Sequence, residues 1–232
     1  MARATTSRAR ARAVQIETIK DVSRRLISEK GVAGLSLREV AREMGLVSSA
    51  IYRYFANRDE LLTALILDAY NDLGAAVERS DARHASSSPR ERWGVVATAI
   101  RRWAKQHPHE YALIYGTPVP NYVAPERTIE AATRVTAVLG QILSDNWAQR
   151  RSQLAKANSV DYSMRFLETD SLSEYLPNVP TSHYVKALMA WTHIFGFVSF
   201  DLFGHYVGSV RNTNVMFQRV VAELADFLEL AG

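Results

Sequence analysis

The stretch GVAGLSLREVAREMGLVSSAIYRYFANRDELL, residues 31–62, decides how this chain is read. Ser36-Leu37-Arg38-Glu39 fits a capping box, in which the Ser36 hydroxyl accepts from the Glu39 amide and the Glu39 carboxylate reaches back to the amide of Ser36. A helix then starts at Leu37, with Leu37, Val40, Ala41 and Met44 as its apolar stripe. Gly45 supplies the positive φ that ends this helix in a sharp turn. Ser48 or Ser49 caps a second short helix carrying Ala50 to Phe55. Ile51 and Phe55, four apart, face the core, which leaves Ser49, Ala50, Tyr52, Arg53 and Tyr54 facing outward. Two tyrosines, an arginine and small residues on one outer face are unusual for a solvated helix and suit insertion into a major groove. Small residues let the backbone approach the bases, arginine reads guanine or holds phosphate, and tyrosine donates to phosphate oxygens. Asn57 caps a further helix from Arg58, whose N-terminal dipole also favours phosphate. Taken alone, the stretch is also compatible with a helical hairpin from another all-α protein.

The same residues resemble the DNA-binding domain of TetR/AcrR-family regulators. The match runs without a gap through Leu35, Ser36, Leu37, Arg38, Val40, Ala41, Gly45, Ser48, Tyr52, Phe55, Arg58, Glu60 and Leu61. Arg58 stands where that pattern usually has lysine, a change that keeps the charge. The resemblance implies that Ser36, Arg38, Tyr52, Tyr54 and Arg58 touch the DNA backbone. It also implies that Ser48, Ser49, Ala50 and Arg53 lie nearest the bases, with double-stranded DNA as the partner.

Charge is divided in keeping with a polyanion partner at one end. Residues 1–60 hold 12 Lys/Arg against 7 Asp/Glu, a net +5, and residues 61–232 hold 16 against 17, a net −1. Residues 1–12, MARATTSRARAR, carry Arg3, Arg8, Arg10 and Arg12 and no acid. They lack the apolar run of a secretory signal and read as a disordered basic arm over 1–11, either solvated or entering a minor groove. The absence of cysteine excludes a disulfide framework and fits a reducing cytoplasm. The domain plan is then an arm over 1–11, a helix-turn-helix domain over 12–60, and a helical ligand-binding and dimerisation domain over 61–232.

Helical periodicity dominates the remainder, so the expected fold class is all-α. Helices are expected over about 12–30, from 58 past Val77, over 90–107 and 109–115, from Pro125 to about 150, over 182–206 and over 213–230. The prolines of TPVPNYVAP, 117–125, exclude a helix there, and 151–180 reads as short helices or loops. The segment KALMAWTHIFGFVSFDLFGHYVG is apolar almost all round, yet His193 and Asp201 interrupt it and no second span accompanies it. Burial in a protein interface suits it better than a membrane. Gly196, Gly204 and Gly208 fall near one of its faces and would admit close helix approach. With the amphipathic final helix it forms the expected homodimer interface, through Gly196, Gly204, Phe217, Val221 and Leu224.

The segment Trp191-Thr-His193-Ile-Phe-Gly196, with HEYALIYGTPVPNYVAP, resembles the WHG type of C-terminal domain found in one branch of the same family. That resemblance implies a ligand pocket in this part of the chain. Its expected liners are Trp103, Tyr111, Tyr115, Trp147, Trp191, His193 and Phe195, with Tyr162 and Phe166 as further candidates; most could equally be core. Aromatics with few polar tips suit a small hydrophobic effector. His107, His109 and Glu110 straddle a helix end and form no HExxH or i,i+4 histidine pair, so neither a metal nor a cofactor is expected. No GxSxG, P-loop, GxGxxG or cysteine nucleophile occurs, and catalysis is not expected. The expected function is a ligand-responsive DNA-binding regulator, a repressor on a palindromic operator; the alternative is a helical protein–protein adaptor.

Overall fold

Each long apolar repeat of the sequence folds as a helix. The computed structural model describes residues 2–154, 167 and 169–232, and these contain ten α-helices and no strand. They are α1 (Ala2–Lys30), α2 (Leu37–Glu43), α3 (Ser48–Tyr52), α4 (Arg58–Ala82), α5 (Pro89–Gln106), α6 (Pro108–Tyr115), α7 (Ile129–Leu154), α8 (Thr169–Tyr175), α9 (Tyr184–Leu202) and α10 (Thr213–Phe227). Tyr162 and Phe166 lie outside the described residues.

The chain divides into two compact units, one of Met1–Tyr70 with His107–Ile129, the other of Asn71–Gln106 with Glu130–Gly232. This corrects the expected boundary at residue 60. Leu61, Leu62, Leu65 and Ile66 of α4 belong to the first unit's core, together with Ile19, Leu26, Leu37, Val40 and Ile51. Leu113 and Ile114 of α6, and Val119 and Tyr122 of the proline-rich segment, pack on the same core. The Tyr122 hydroxyl lies 2.9 Å from that of Thr63, and Arg127 bonds Glu60 at 3.0 Å. A continuous heptad-like run such as that of α4 carries no mark of where one core stops, so the sequence alone places this border poorly.

Residues 2–11 form no separate arm; they continue α1. Alanine and arginine are strong helix formers, and neither glycine nor proline interrupts the segment.

The second unit is built on α5. Trp93, Val96, Ile100 and Trp103 line its buried face, and the Trp93 indole donates to the carbonyl of Val221 at 3.1 Å. Ser88 and Glu91 close a full capping box at its start, with the Glu91 amide donating to the Ser88 hydroxyl at 3.3 Å and the Ser88 amide to the Glu91 carboxylate at 3.1 Å. Two arginines on α5 stitch the unit together. Arg92 holds Asp81, at the end of α4, at 2.8 and 2.9 Å and Asp145 of α7 at 2.6 Å. Arg101 holds Asp201 of α9 at 2.7 and 2.9 Å, Asn214 at 2.8 Å and Thr213 at 3.1 Å, both on α10. Helix α9 stops at Leu202, short of the expected 206, because Gly204 takes φ +79 and the amide of His205 turns back to the carbonyl of Phe200 at 2.9 Å. Gly204 is thus a helix terminator rather than a contact on the helix face.

Burial pushes the Asp201 carboxyl up, but hydrogen bonds from Thr213, Arg101 and Lys105 outweigh it and leave its pKa below the ordinary value. A carboxyl depressed in the folded state contributes stability above its unfolded pKa, about 3.9, and loses it as pH falls through the lower folded value. Asp201→Asn leaves Arg101 facing a neutral amide, a loss of about 3–5 kcal/mol for a broken buried pair. Thermal melts of the variant should lie well below those of the natural chain at neutral pH, with the gap closing below about pH 4. A gap that persists into acid would show that the ionised carboxylate is not what holds α5, α9 and α10.

Candidate DNA-reading surface

The first unit is laid out around α2 and α3. Ser36 caps α2 as the sequence indicates, its hydroxyl accepting from the Glu39 amide at 3.1 Å. The reverse half of the box is not made: the Glu39 carboxylate turns instead to Lys30 and Arg42, and the bond from Lys30 is the main cause that holds its pKa below the usual range. Gly45 has φ +65, and the amides of Leu46 and Gly45 donate to the carbonyls of Ala41 and Arg42 at 2.9 and 3.1 Å. This Schellman arrangement satisfies the free end of α2 and redirects the chain within two residues.

Helix α3 is shorter than expected and differently capped. It spans five residues, its N-cap is Val47, and Ser48 and Ser49 are its first helical residues rather than its cap. Val47 already has the extended backbone of a cap, so the serines turn one residue earlier into the helix. Arg53 is the C-cap, and Tyr54 and Phe55 follow in the turn. Ile51 and Phe55 are buried, as their spacing requires. Tyr52, half exposed at 50%, and Ser49 and Arg53, both exposed, face outward, while Ser48 and Ala50 are partly covered.

Tyr54 and Arg58 are also tied into the unit itself. Tyr54 packs against the unit's core, and the Arg12 guanidinium of α1 lies 5.1 Å from its ring centre. The same guanidinium donates to the carbonyl of Arg53 at 3.1 Å, so α1 grips the end of α3. Arg58 donates Nε to the carbonyl of Leu35 and Nη2 to that of Val32, each at 2.9 Å. It fastens the start of α4 to the 3-10 turn Val32–Gly34 ahead of α2, a strut that no local pattern announces. Asn57 caps α4, accepting from the Glu60 amide at 2.9 Å.

Electrostatics separate two classes of cation in this unit. Lys20 and Arg24 share Asp68, at 2.7 and 2.5 Å. Arg25 meets Glu43, Lys30 and Arg42 meet Glu39, and Arg127 meets Glu60. Arg38 and Arg53, both exposed, have no carboxylate partner among the described residues. Their charge is therefore offered to solvent or to an anionic ligand. Arg38 on α2 and Arg53 at the end of α3, with Tyr52 between them in sequence, give a face of unneutralised charge and hydroxyl suited to phosphate and base edges.

Residues 19–65 match the model of bacterial regulatory proteins of the tetR family, and residues 93–224 match that of the tetracyclin repressor-like C-terminal domain. The chain belongs to the TetR family. An HTH-type transcriptional regulator of Mycobacterium tuberculosis is 36% identical over 195 residues, covering 83% of this chain and 82% of the relative. Among solved structures, the regulatory protein SCO4313 matches with a TM-score of 0.78 at 29% identity, over 94% of this chain and 98% of the other. A tetR-family regulatory protein from Rhodococcus RHA1 matches with a TM-score of 0.63 at 14% identity, over 94% and 98%, and shows the fold alone. As a TetR-family member, the protein is a helix-turn-helix transcriptional regulator that binds DNA.

The expected effector residues fall in both units. Tyr111 and Tyr115 belong to the DNA-reading unit, where their rings lie 5.2 Å apart and Tyr115 meets Tyr70 edge-on at 6.1 Å. Burial pushes the Tyr115 phenol far above its ordinary pKa. The other five lie in the second unit. Trp103 is buried and donates to Asp72 at 2.7 Å, and buried Trp147 lies against His183. Trp191 and Phe195 do meet, with ring centres 5.9 Å apart, and the Trp191 indole N–H is buried without a hydrogen-bond partner among the described residues. His193 is exposed and faces an open groove of about 390 Å³ lined also by Met189, Thr192, Leu224 and Phe227.

The expected interface residues differ in how far their own unit covers them. Phe217 and Val221 are buried in their own unit, Phe217 5.2 Å from the ring of Phe197 and under the Arg101 guanidinium. An amphipathic pattern shows that α10 has an apolar face but not whether its own core or a second copy covers it. Leu224 sits at the border, nearly buried yet lining the groove. Gly196 is exposed with open space beside it. It lies in a surface stripe of α9 that runs Met189, His193, Gly196, Phe200 and on to the C-cap Phe203, opposite the buried Ile194, Phe197 and Val198. The all-round apolar character of α9 is thus two faces, one for the core and one left outside.

Two substitutions separate reading from scaffolding. Arg53→Ala should leave the melting temperature unchanged, since only its backbone carbonyl is used internally, and weaken DNA binding by about 1–3 kcal/mol. Arg58→Ala should lower stability by about 1–3 kcal/mol through two lost charged hydrogen bonds. Calorimetry with fluorescence-anisotropy titration reads both, and an unchanged melt for Arg58→Ala would remove its role as a strut.

Proposed function

We propose that this TetR-family protein is a homodimeric repressor that reads a palindromic operator through two copies of α3 and releases it when a small hydrophobic effector binds. The observation that carries the reading is the pair of exposed arginines, Arg38 in the first turn of α2 and Arg53 at the end of α3, with no carboxylate partner among the described residues. Ser36, Ser48, Ser49, Ala50 and Tyr52 complete the surface, Ser48, Ser49, Ala50 and Arg53 being nearest the bases. Tyr54 and Arg58 support it from behind and can add phosphate contacts at their edges. The reading assigns the chain no reaction and places it in the cytoplasm, and among the described residues no helix is long and apolar enough to cross a membrane.

The dimer is supported by the outer stripe of α9. Phe200 and Met189 are each about half exposed, at 51% and 54%, and with Phe227 and Val215 of α10 they leave an apolar surface uncovered. Contiguous exposed apolar area of this kind marks an interaction surface. Gly196 at its middle would let two copies of α9 cross closely. Two-fold symmetry then sets two α3 helices about 34–36 Å apart, one turn of DNA.

Release is supported by two features. Helix α4 contributes Arg58–Tyr70 to the DNA-reading unit and Asn71–Ala82 to the other, so one helix runs from the first unit into the second. The buried indole N–H of Trp191, with no partner among the described residues, is a donor that an acceptor on an otherwise apolar effector would satisfy. An effector that prefers the conformation with misplaced readers shifts the population away from DNA.

Selection from a randomised duplex pool tests the reading directly. It should return an inverted repeat with half-site centres about one turn apart, bound by two chains. Recovery of an unrepeated site bound by one chain would overturn the dimeric mode. Phe200→Glu should convert the sedimenting species from dimer to monomer and raise the Kd for the selected duplex at least tenfold; a dimer that survives this change would place the interface elsewhere.

A further inference from the structure

The outer stripe of α9 carries no fixed charge. Among its exposed positions Met189, Thr192, His193, Gly196 and Phe200, the ionisable side chain is His193. It lines the open groove of about 390 Å³ together with Met189, Leu224 and Phe227. A second exposed histidine, His205, stands just past the end of the helix with its ring 4.9 Å from that of Phe200. The charged groups around the stripe are engaged with one another. On α9 itself Lys186 holds Glu229 at 2.7 Å, and Asp201 is held from α5 by Arg101 at 2.7 Å and Lys105 at 3.2 Å. On α10 Glu223 meets Arg219 at 2.5 Å, and Asp226 meets Arg90 of α5 at 2.6 Å. In the 3-10 turn before α9, His183 lies 3.6 Å from Glu229, and the turn that leads to α10 adds only the cation Arg211. No carboxylate among the described residues pairs with His193 or His205.

We infer that His193 makes the association of two copies sensitive to acid: the second stripe encloses the neutral imidazole, and protonation drives the copies apart. The inference rests on the α9 interface proposed above and adds its regulation. Histidine is the side chain whose charge changes between pH 8 and pH 5. In a single chain His193 is exposed, and water solvates its imidazolium. Against a second apolar stripe that water is lost, and a charge enclosed without a partner is strongly unfavourable. Gly196, the crossing point proposed for the two helices, lies three residues on, about 4.5 Å along the axis. The two copies of His193 therefore come near each other, and their charges repel as well. Separated chains bind protons that the dimer excludes, so acid favours separation; each excluded proton weakens association about tenfold per pH unit once histidine is charged. Because the operator is held by two readers at once, losing the dimer loses the operator.

Sedimentation equilibrium of the full chain at about pH 7.5 and about pH 5.5, at constant salt, reads the effect. With one proton excluded per chain, the dimer Kd should rise about 100-fold between the two. In His193→Gln, whose side chain stays neutral, the Kd should change by less than about threefold over the same range, whatever its starting value. In His205→Gln it should still rise by at least about tenfold. A natural chain whose dimer Kd is the same at both pH values would overturn the inference and leave the α9 interface standing. Acid weakening that His193→Gln shares in full, or that His205→Gln loses, would overturn the assignment to His193. A natural chain that is monomeric at micromolar concentration already at the higher pH would bring down the α9 dimer itself.

Discussion

A helix of five residues cannot hold itself. α3 has too few internal hydrogen bonds to repay its nucleation, so its position is borrowed entirely from its neighbours. Ile51 and Phe55 seat it in the core of the DNA-reading unit, Gly45 aims it by turning the chain at the end of α2, and Arg12 clasps its last carbonyl. Arg58 then holds the loop on which α2 starts. Every DNA contact proposed for α3 depends on these four supports, three of which lie outside the helix.

The same economy of charge runs through both units. Acids are placed where two elements must be held together: Asp68 for α1 and α4, Asp81 and Asp145 for α4, α5 and α7, Asp201 for α5 and α9. The C-terminal part of α4 is held most firmly, with Asn71 and Glu78 bound by Arg134 of α7, Asp72 by Trp103 and Asp81 by Arg92. Four side chains over eleven residues make that segment a rigid piece of its unit. Displacement of α7 or α5 therefore carries this part of α4 with it rather than being absorbed by local bending.

What the sequence revealed follows from how local each interaction is. The Ser36 cap, the Gly45 turn, the buried pair Ile51 and Phe55 and the Asn57 cap are set by spacings of five residues or fewer, and all were readable. The partners of Glu39 and Arg58 lie from 3 to 26 residues away, and Lys30, Leu35 and Val32 carry no sign of their role. Helix α3 was overextended because Tyr52 to Phe55 continue a helical pattern while the backbone has already entered a turn. The covering of α10 was not legible, because periodicity locates an apolar stripe without naming what lies on it, and Phe217 meets Phe197 of its own chain. The basic segment at the start was read by charge alone, where alanine and arginine propensity made it helix.

The separation between supporting and outward-facing residues has an evolutionary consequence. Ser49, Tyr52 and Arg53 present side chains that the fold does not use, while Ile51, Phe55, Tyr54 and Arg58 sit behind them as a fixed frame. Substitutions at the first group meet almost no penalty in folding, so a duplicated copy of such a gene could drift to a new operator one base contact at a time while remaining stable throughout. The short reading helix is then less a minimal structure than an interchangeable one, since the fewer positions it contributes to the core, the more of them are free to be rewritten.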